Sequence, residues 1–282
     1  LWSFGPLVVR YMDAPDLVPW QYIFGRGLTI FVILNLYLYF EEGINFYKNY
    51  KKVGKSGCIG GVGLGIAMIT FIYSITNTSA AITLLCLAAM PFFTALLAFL
   101  FLKEKISFNV WVSIFLASIG IIIMALGSSE KNSLIGFIFG ITSSIGFSVF
   151  SVSLRWRKET PKFTTVAIAG LFCFMFATIV ILIKNQTFFT SSYNSTMFSL
   201  HGTLVCFGLI LYSIGSKAIP AAELTLLSLT EVIGGIFWVW LPLFGINEIP
   251  TTNTIIGGFF LFISLFYYSL IMRWNKRHIA LN

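Results

Sequence analysis

Two ionisable residues stand where this chain is otherwise apolar, and they define the chemistry it could perform. Glu231 lies about 12 residues into the run 219–243, among aliphatic and aromatic neighbours. A carboxylate at that depth in a membrane-spanning helix costs roughly 2.5–3.5 kcal/mol unless a cavity or partner receives it. It could carry a coupling proton or anchor an amino group of a solute; a hydrogen bond to a neighbouring helix is the structural alternative. Arg26 sits in Phe24-Gly25-Arg26-Gly27, inside the run 17–40. Its planar fork suits a carboxylate, either a solute's or that of Glu231. The flanking glycines let another backbone approach and leave room for the guanidinium. Snorkelling to the membrane interface is the competing reading. Together the two charges could bracket a zwitterion.

Other residues qualify less directly. Tyr73 and Tyr212 hold equivalent places near the ends of two apolar runs, and Trp238 lies two helical turns from Glu231 on roughly the same face. Each could line a solute cavity, and each could equally be aromatic packing or an interface anchor. Pro91 falls in the middle of the run 79–101, where it removes a backbone hydrogen bond. It reads as a hinge or as a static kink. Glu223 follows Pro220 by less than one turn and reads as a first-turn carboxylate complementing the helix dipole. Glu104 and Glu248 close corresponding segments and read as interface anchors or gate locks. Gly57, Gly61 and Gly65 form a small-residue stripe for close helix packing.

The elements that must position these groups are membrane helices. The 282 residues are 57% hydrophobic and 10% charged, with 30 Phe. Soluble domains carry about 25% charged residues. The net charge of +8 is confined to connectors, so it speaks of topology and anionic lipid rather than nucleic acid. The four cysteines lack C-x-x-C spacing and read as apolar packing residues. Two histidines, His201 near the start of a run and His278 in the tail, make no metal or catalytic pattern. Gly-x-Ser-x-Gly, His-Glu-x-x-His and phosphate-loop motifs are missing. The sequence therefore calls for no catalytic residue, metal or cofactor.

Ten apolar runs are expected to be helices, near 1–12, 17–40, 57–76, 79–101, 108–127, 134–154, 163–183, 197–216, 219–243 and 254–272. The first is shorter than the roughly 20 residues of a span, so the start of that helix is expected to be missing. With the N-terminus in the cytoplasm, every Lys and Arg but Arg10, Arg26, Lys131 and Lys184 falls on the cytoplasmic side. The positive-inside rule prefers that orientation. Ile72-Tyr73-Ser74-Ile75 with Ala80-Ala81 is echoed by Leu211-Tyr212-Ser213-Ile214 with Ala221-Ala222, roughly 140 residues later. In that register Met90-Pro91 falls opposite Glu231-Val232. Two five-helix units, 1–128 and 129–282, follow from the repeat. Five is odd, so the second unit enters the membrane from the opposite side. Inverted repeats are the architecture of alternating-access carriers.

On these residues, together with Lys103-Glu104-Lys105, Trp238-Val239-Trp240 and Glu248-Ile249-Pro250, the chain resembles the drug/metabolite transporter superfamily of the EamA type. It departs where Leu102-Lys103-Glu104 replaces the Gly that usually precedes Glu, and in an extra stretch at 243–247. The resemblance implies ten transmembrane helices with a central cavity walled by the third, fourth, eighth and ninth. It also implies a secondary transporter that moves an amino acid or related small polar metabolite by alternating access. Proton coupling and export are favoured. Expected partners are the solute and the lipid bilayer, with no nucleic acid; the chain would be a monomer or homodimer in a bacterial inner membrane, both termini cytoplasmic. Two alternatives stay open: an exchanger of phosphorylated or nucleotide-linked metabolites, and a non-transporting membrane partner or sensor.

Overall fold

The computed structural model describes residues 1–126, 133–157, 159–246 and 249–279. Glu248, Lys131 and Lys158 lie outside them. Among the described residues the secondary structure is helical, as a backbone without water to bond to requires. The helices are α1 (Gly5–Tyr11), α2 (Pro19–Glu42), α3 (Lys48–Lys52), α4 (Gly54–Asn77), α5 (Ala80–Leu87), α6 (Met90–Leu97) and α7 (Phe108–Leu126). Then come α8 (Ser133–Trp156), α9 (Lys162–Ile183), α10 (Ser192–Gly215), α11 (Ala221–Ser228), α12 (Thr230–Trp240) and α13 (Thr252–Ile279). Seven stretches are long and apolar enough to cross a membrane, and α7 and α13 contribute shorter apolar segments. This is a multi-pass membrane protein by the length and composition of its helices.

Local chemistry sets the ends. Pro19 opens α2, where a missing N–H costs nothing, and Gly43 closes it at φ +64°. Ser79 and Ser191 cap α5 and α10, each hydroxyl accepting a backbone N–H in the first turn. The Ser191 cap starts α10 at Ser192, five residues before the run expected at 197–216. His201 is thereby about two and a half turns into the helix instead of near its start.

Two apolar runs that read as continuous are broken. The run 79–101 divides into α5 and α6 around Ala88 and Ala89, then widens into a π-turn at Ala98–Leu102. Pro91 lies in the first turn of α6, where proline is tolerated, instead of kinking a helix middle. Serines of α8 cover the loosened backbone: Ser144 Oγ donates to Cys86 O at 2.5 Å and Ser148 Oγ to Met90 O at 3.1 Å. The run 219–243 divides at Leu229 into α11 and α12. There the hydroxyls of Ser228 and Thr230 bond the carbonyls of Thr225 and Leu227 at 2.7 and 3.0 Å. Glu231 is thus in the first turn of α12, not in mid-helix.

α4 is the central post, with α8 on one side and α9 on the other. The Gly57, Gly61 and Gly65 stripe meets α9: a Cβ on Gly61 would stand 2.9 Å from Thr165 O. The opposite face meets α8, and a Cβ on Gly146 would stand 2.6 Å from Gly63 O and 3.0 Å from Ala67 N. Both obstructions are backbone, so relief means separating the helices. Gly146→Leu should destabilise the fold by about 1–3 kcal/mol. Thermal unfolding in detergent would show a midpoint lower by about 5 °C; an unchanged midpoint would refute this packing.

A candidate solute site between the broken helices

The two breaks face one common space. A cavity of about 60 Å³ is lined by Leu87 and Met90 from either side of the first break and by Glu231 just after the second. Phe71, Met68 and Leu64 of α4 form one wall, and Trp2, Phe147 and Val205 another. Arg26 and His201 complete it. The lining is mainly apolar, with charge concentrated at Arg26 and Glu231.

Arg26 is 5% exposed, on the buried face of α2. Its guanidinium carbon lies 5.5 Å from the centroid of the Phe71 ring, a cation–π contact. Nε and Nη1 are buried with no hydrogen-bond partner. Buried N–H groups are almost always paired, so two idle donors on one guanidinium require an explanation. Gly27 next to it faces α9: a Cβ there would stand 2.9 Å from Gly170 O, so α2 lies directly against α9. Glu231 sits in the first turn of α12, directly after the interruption at Leu229. The carboxylate also borders a second cavity of about 450 Å³, lined with Trp2, Ser3, Tyr212, Ser228 and Thr230.

His201 is 2% exposed. Its Nδ1 shares a hydrogen bond with the hydroxyl of Tyr22, which is fully buried and stacked on Phe198 at 5.0 Å. The other ring nitrogen points towards Gly5, where a Cβ would stand 2.9 Å from Nε2. His201, Tyr22, Phe71 and Trp2 have no functional role in the sequence reading. A histidine and a glycine-flanked arginine in one apolar chain were the available signal; nothing in the spacing paired them.

The residues singled out from sequence divide into two groups. Arg26 and Glu231 come together at the cavity, and Pro91 lies beside it, next to Met90. Tyr212 lies one layer out, packed on Phe147 at 5.1 Å and bonded to Ser151 Oγ at 2.6 Å. Tyr73 and Trp238 are elsewhere. Tyr73 packs on Trp20 and Phe139, because two residues along a helix turn it away from the face of Phe71. Trp238 stacks on Phe4 at 4.8 Å and donates to Ser3 Oγ at 3.1 Å. It shares Glu231's face, but seven residues carry it about 10 Å along the axis, past the small cavity. Glu223, in the first turn of α11, accepts from the Tyr268 hydroxyl at 2.5 Å. Glu104 pairs with Arg155, its Oε1 3.0 Å from Nε.

By its architecture the chain is an all-helical, multi-pass membrane fold in which a buried arginine and a carboxylate border one cavity. Within that class, residues 1–126 match the EamA-like transporter family. Two Helicobacter pylori proteins named as uncharacterized transporters, from strains J99 and 26695, are 29% and 27% identical over 164 residues. In both cases this covers 57% of this chain and 54% of the relative, so the match spans about half of their length. The Bacillus subtilis uncharacterized transporter YdfC is 24% identical over 209 residues, 69% of this chain and 65% of its own. A protein crystal structure superposes with a TM-score of 0.71 at 15% identity, over 98% of this chain and 94% of the other, a likeness of fold. The resemblance to the EamA-type drug/metabolite transporters therefore stands on its first half by sequence.

Proposed function

We propose that this chain is a secondary transporter that moves an amino acid or related metabolite with an apolar body by alternating access. The observation that carries the reading is the idle pair of donors on buried Arg26, facing a cavity that also receives Glu231. Once the cavity widens beyond its present volume of about 60 Å³, a carboxylate would take the guanidinium fork, an ammonium would meet Glu231, and Phe71, Met68, Phe147 and Trp2 would surround an apolar side chain. This lining favours an apolar side chain over the small polar solute expected from sequence. Phosphorylated metabolites suit it less, because Arg26 is the one cation among the described lining residues.

The ten-helix, 5+5 inverted-repeat organisation belongs to this proposal, with units 1–128 and 129–282. The matched breaks, α5/α6 and α11/α12, support it. So do the repeated Tyr-Ser and Ala-Ala pairs. The same proposal places the chain in a bacterial inner membrane with cytoplasmic termini, favours export, and gives Glu231 the coupling proton when solute is absent. Binding tests the solute class: leucine and phenylalanine should raise the unfolding midpoint of the purified protein, and glycine and glucose 6-phosphate should not. Stabilisation by the phosphate ester alone would contradict it.

The proposal also assigns a gate. On the expected cytoplasmic side, Arg155 bonds Glu104 and reaches the carbonyls of Ser216 and Ile219 at 3.5 and 3.4 Å. Beneath them Ala98, Val152 and Ala221 form a small buried cluster. The ion pair is about a quarter exposed, with side chains 27% and 24% accessible, so it contributes at most about 1 kcal/mol. Glu104→Gln should open this end up to about fivefold more often. Soluble maleimide labelling of Val152→Cys, in a Cys58→Ser background, would report it; an unaltered rate would remove the gate.

A further inference from the structure

The connection between α2 and α4 is built as an elbow. Gly43 and Gly54 adopt left-handed backbones, at φ +64° and +60°, and turn the chain at each end. Between them lie a short 3-10 turn, Gly43–Tyr47, and α3. Its inner face is fixed to the bundle: Asn49 and Val53 are 9% and 0% exposed, Asn49 Nδ2 donates to Glu42 Oε2 at 2.7 Å, and Tyr50 OH donates to Asn35 Oδ1 at 2.8 Å. The elbow is therefore held in place, not a loose connector.

Its outer face combines two features that water alone would not reward. Lys48, Lys51, Lys52 and Lys55 are all exposed. None is held by a carboxylate, since the ion pair present among the described residues is Glu104 with Arg155. Arg157 joins them from the end of α8, its Nη1 3.0 Å from where a Cβ of Gly54 would stand. Beside this cationic row Phe40, Ile44 and Tyr47 are 81%, 74% and 50% exposed. Aromatic and aliphatic side chains that point outward next to unpaired lysines match the boundary of an anionic bilayer, apolar groups among acyl chains and ammonium groups among headgroups. Glu41 and Glu42 are the two nearby acids, fewer than the lysines and Arg157, so the elbow keeps an excess of positive charge.

We infer that the elbow spanning 40–55, with Arg157, is a binding surface for anionic phospholipid headgroups. It is independent of the solute cavity, and holds whether or not the chain carries amino acids.

Native mass spectrometry tests this on the full chain in mild detergent, supplied with equal phosphatidylglycerol and phosphatidylcholine. The wild type should retain phosphatidylglycerol over phosphatidylcholine by at least about fivefold. K48Q/K51Q/K52Q/K55Q should bring the two lipids near parity, while the corresponding fourfold arginine variant keeps the preference. K103Q/K105Q/K217Q, on other connectors, should keep it too. Excess inorganic phosphate should not strip the lipid, because the apolar side chains hold its acyl part. No preference in the wild type overturns the inference, and so does a preference that survives in the folded glutamine variant. Loss on adding phosphate overturns it by showing a free-anion site.

Discussion

Arg26→Lys should lower transport of the preferred amino acid at least about tenfold, mainly through KM. The charge survives this substitution, but the fork does not. Arg26 offers Nε and Nη1 from a fixed plane, both idle and buried at the cavity. An ammonium makes its bonds from one point and cannot address both oxygens of a carboxylate in parallel. Its stem also loses the flat contact with the Phe71 ring, 5.5 Å from the guanidinium carbon. Arg26→Gln should be worse, about 100-fold or more, because a buried charge-assisted pair loses its cation. Initial rates over a range of solute concentrations in proteoliposomes would decide it. Full activity of the lysine variant would mean that Arg26 acts as a point charge or packs without touching solute.

Glu231→Gln should remove discrimination for the amino group. Transport of leucine should fall roughly tenfold to hundredfold, the worth of a hydrogen bond to a charged group. Transport of 4-methylpentanoate, the same skeleton without the amino group, should barely change. The change in ratio separates a solute contact from a general loss of folding, which would lower both. If Glu231 also carries the coupling proton, the variant should lose its response to an imposed pH gradient. Equal losses for both substrates would give the carboxylate a structural role at the start of α12, beside the helix break at Leu229.

Much of the fold was legible because membrane helices announce themselves. The apolar runs and the glycine stripe correspond to α-helical elements and to the α4–α9 contact. The breaks were harder. Pro91 hinted at one, but the ladder shifts to three-residue bonds at Ala88 and Ala89, and the hydroxyls of Ser144 and Ser148 beside it come from another helix. Leu229 carries no local signal, having neither proline nor glycine beside it. Helix periodicity placed Trp238 on the correct face without saying that the cavity ends before it. Tyr73 attracted notice for its matching place in the repeat, while Phe71, two residues earlier, is the ring against Arg26. His201 was placed near a helix start because the cap at Ser191 lies upstream of the apolar run. What could not be read was tertiary: which face of α2 turns to the cavity that Glu231 of α12 also borders, and what stays unpaired there.

The most direct measurement is counterflow in proteoliposomes. Vesicles are loaded with unlabelled leucine and offered labelled leucine outside, with labelled glucose 6-phosphate in a parallel set. Transient accumulation of labelled leucine that disappears in Arg26→Gln is the expected result. Absence of leucine counterflow from folded wild-type protein, with accumulation of the phosphate ester, would contradict an amino-acid site at Arg26 and Glu231.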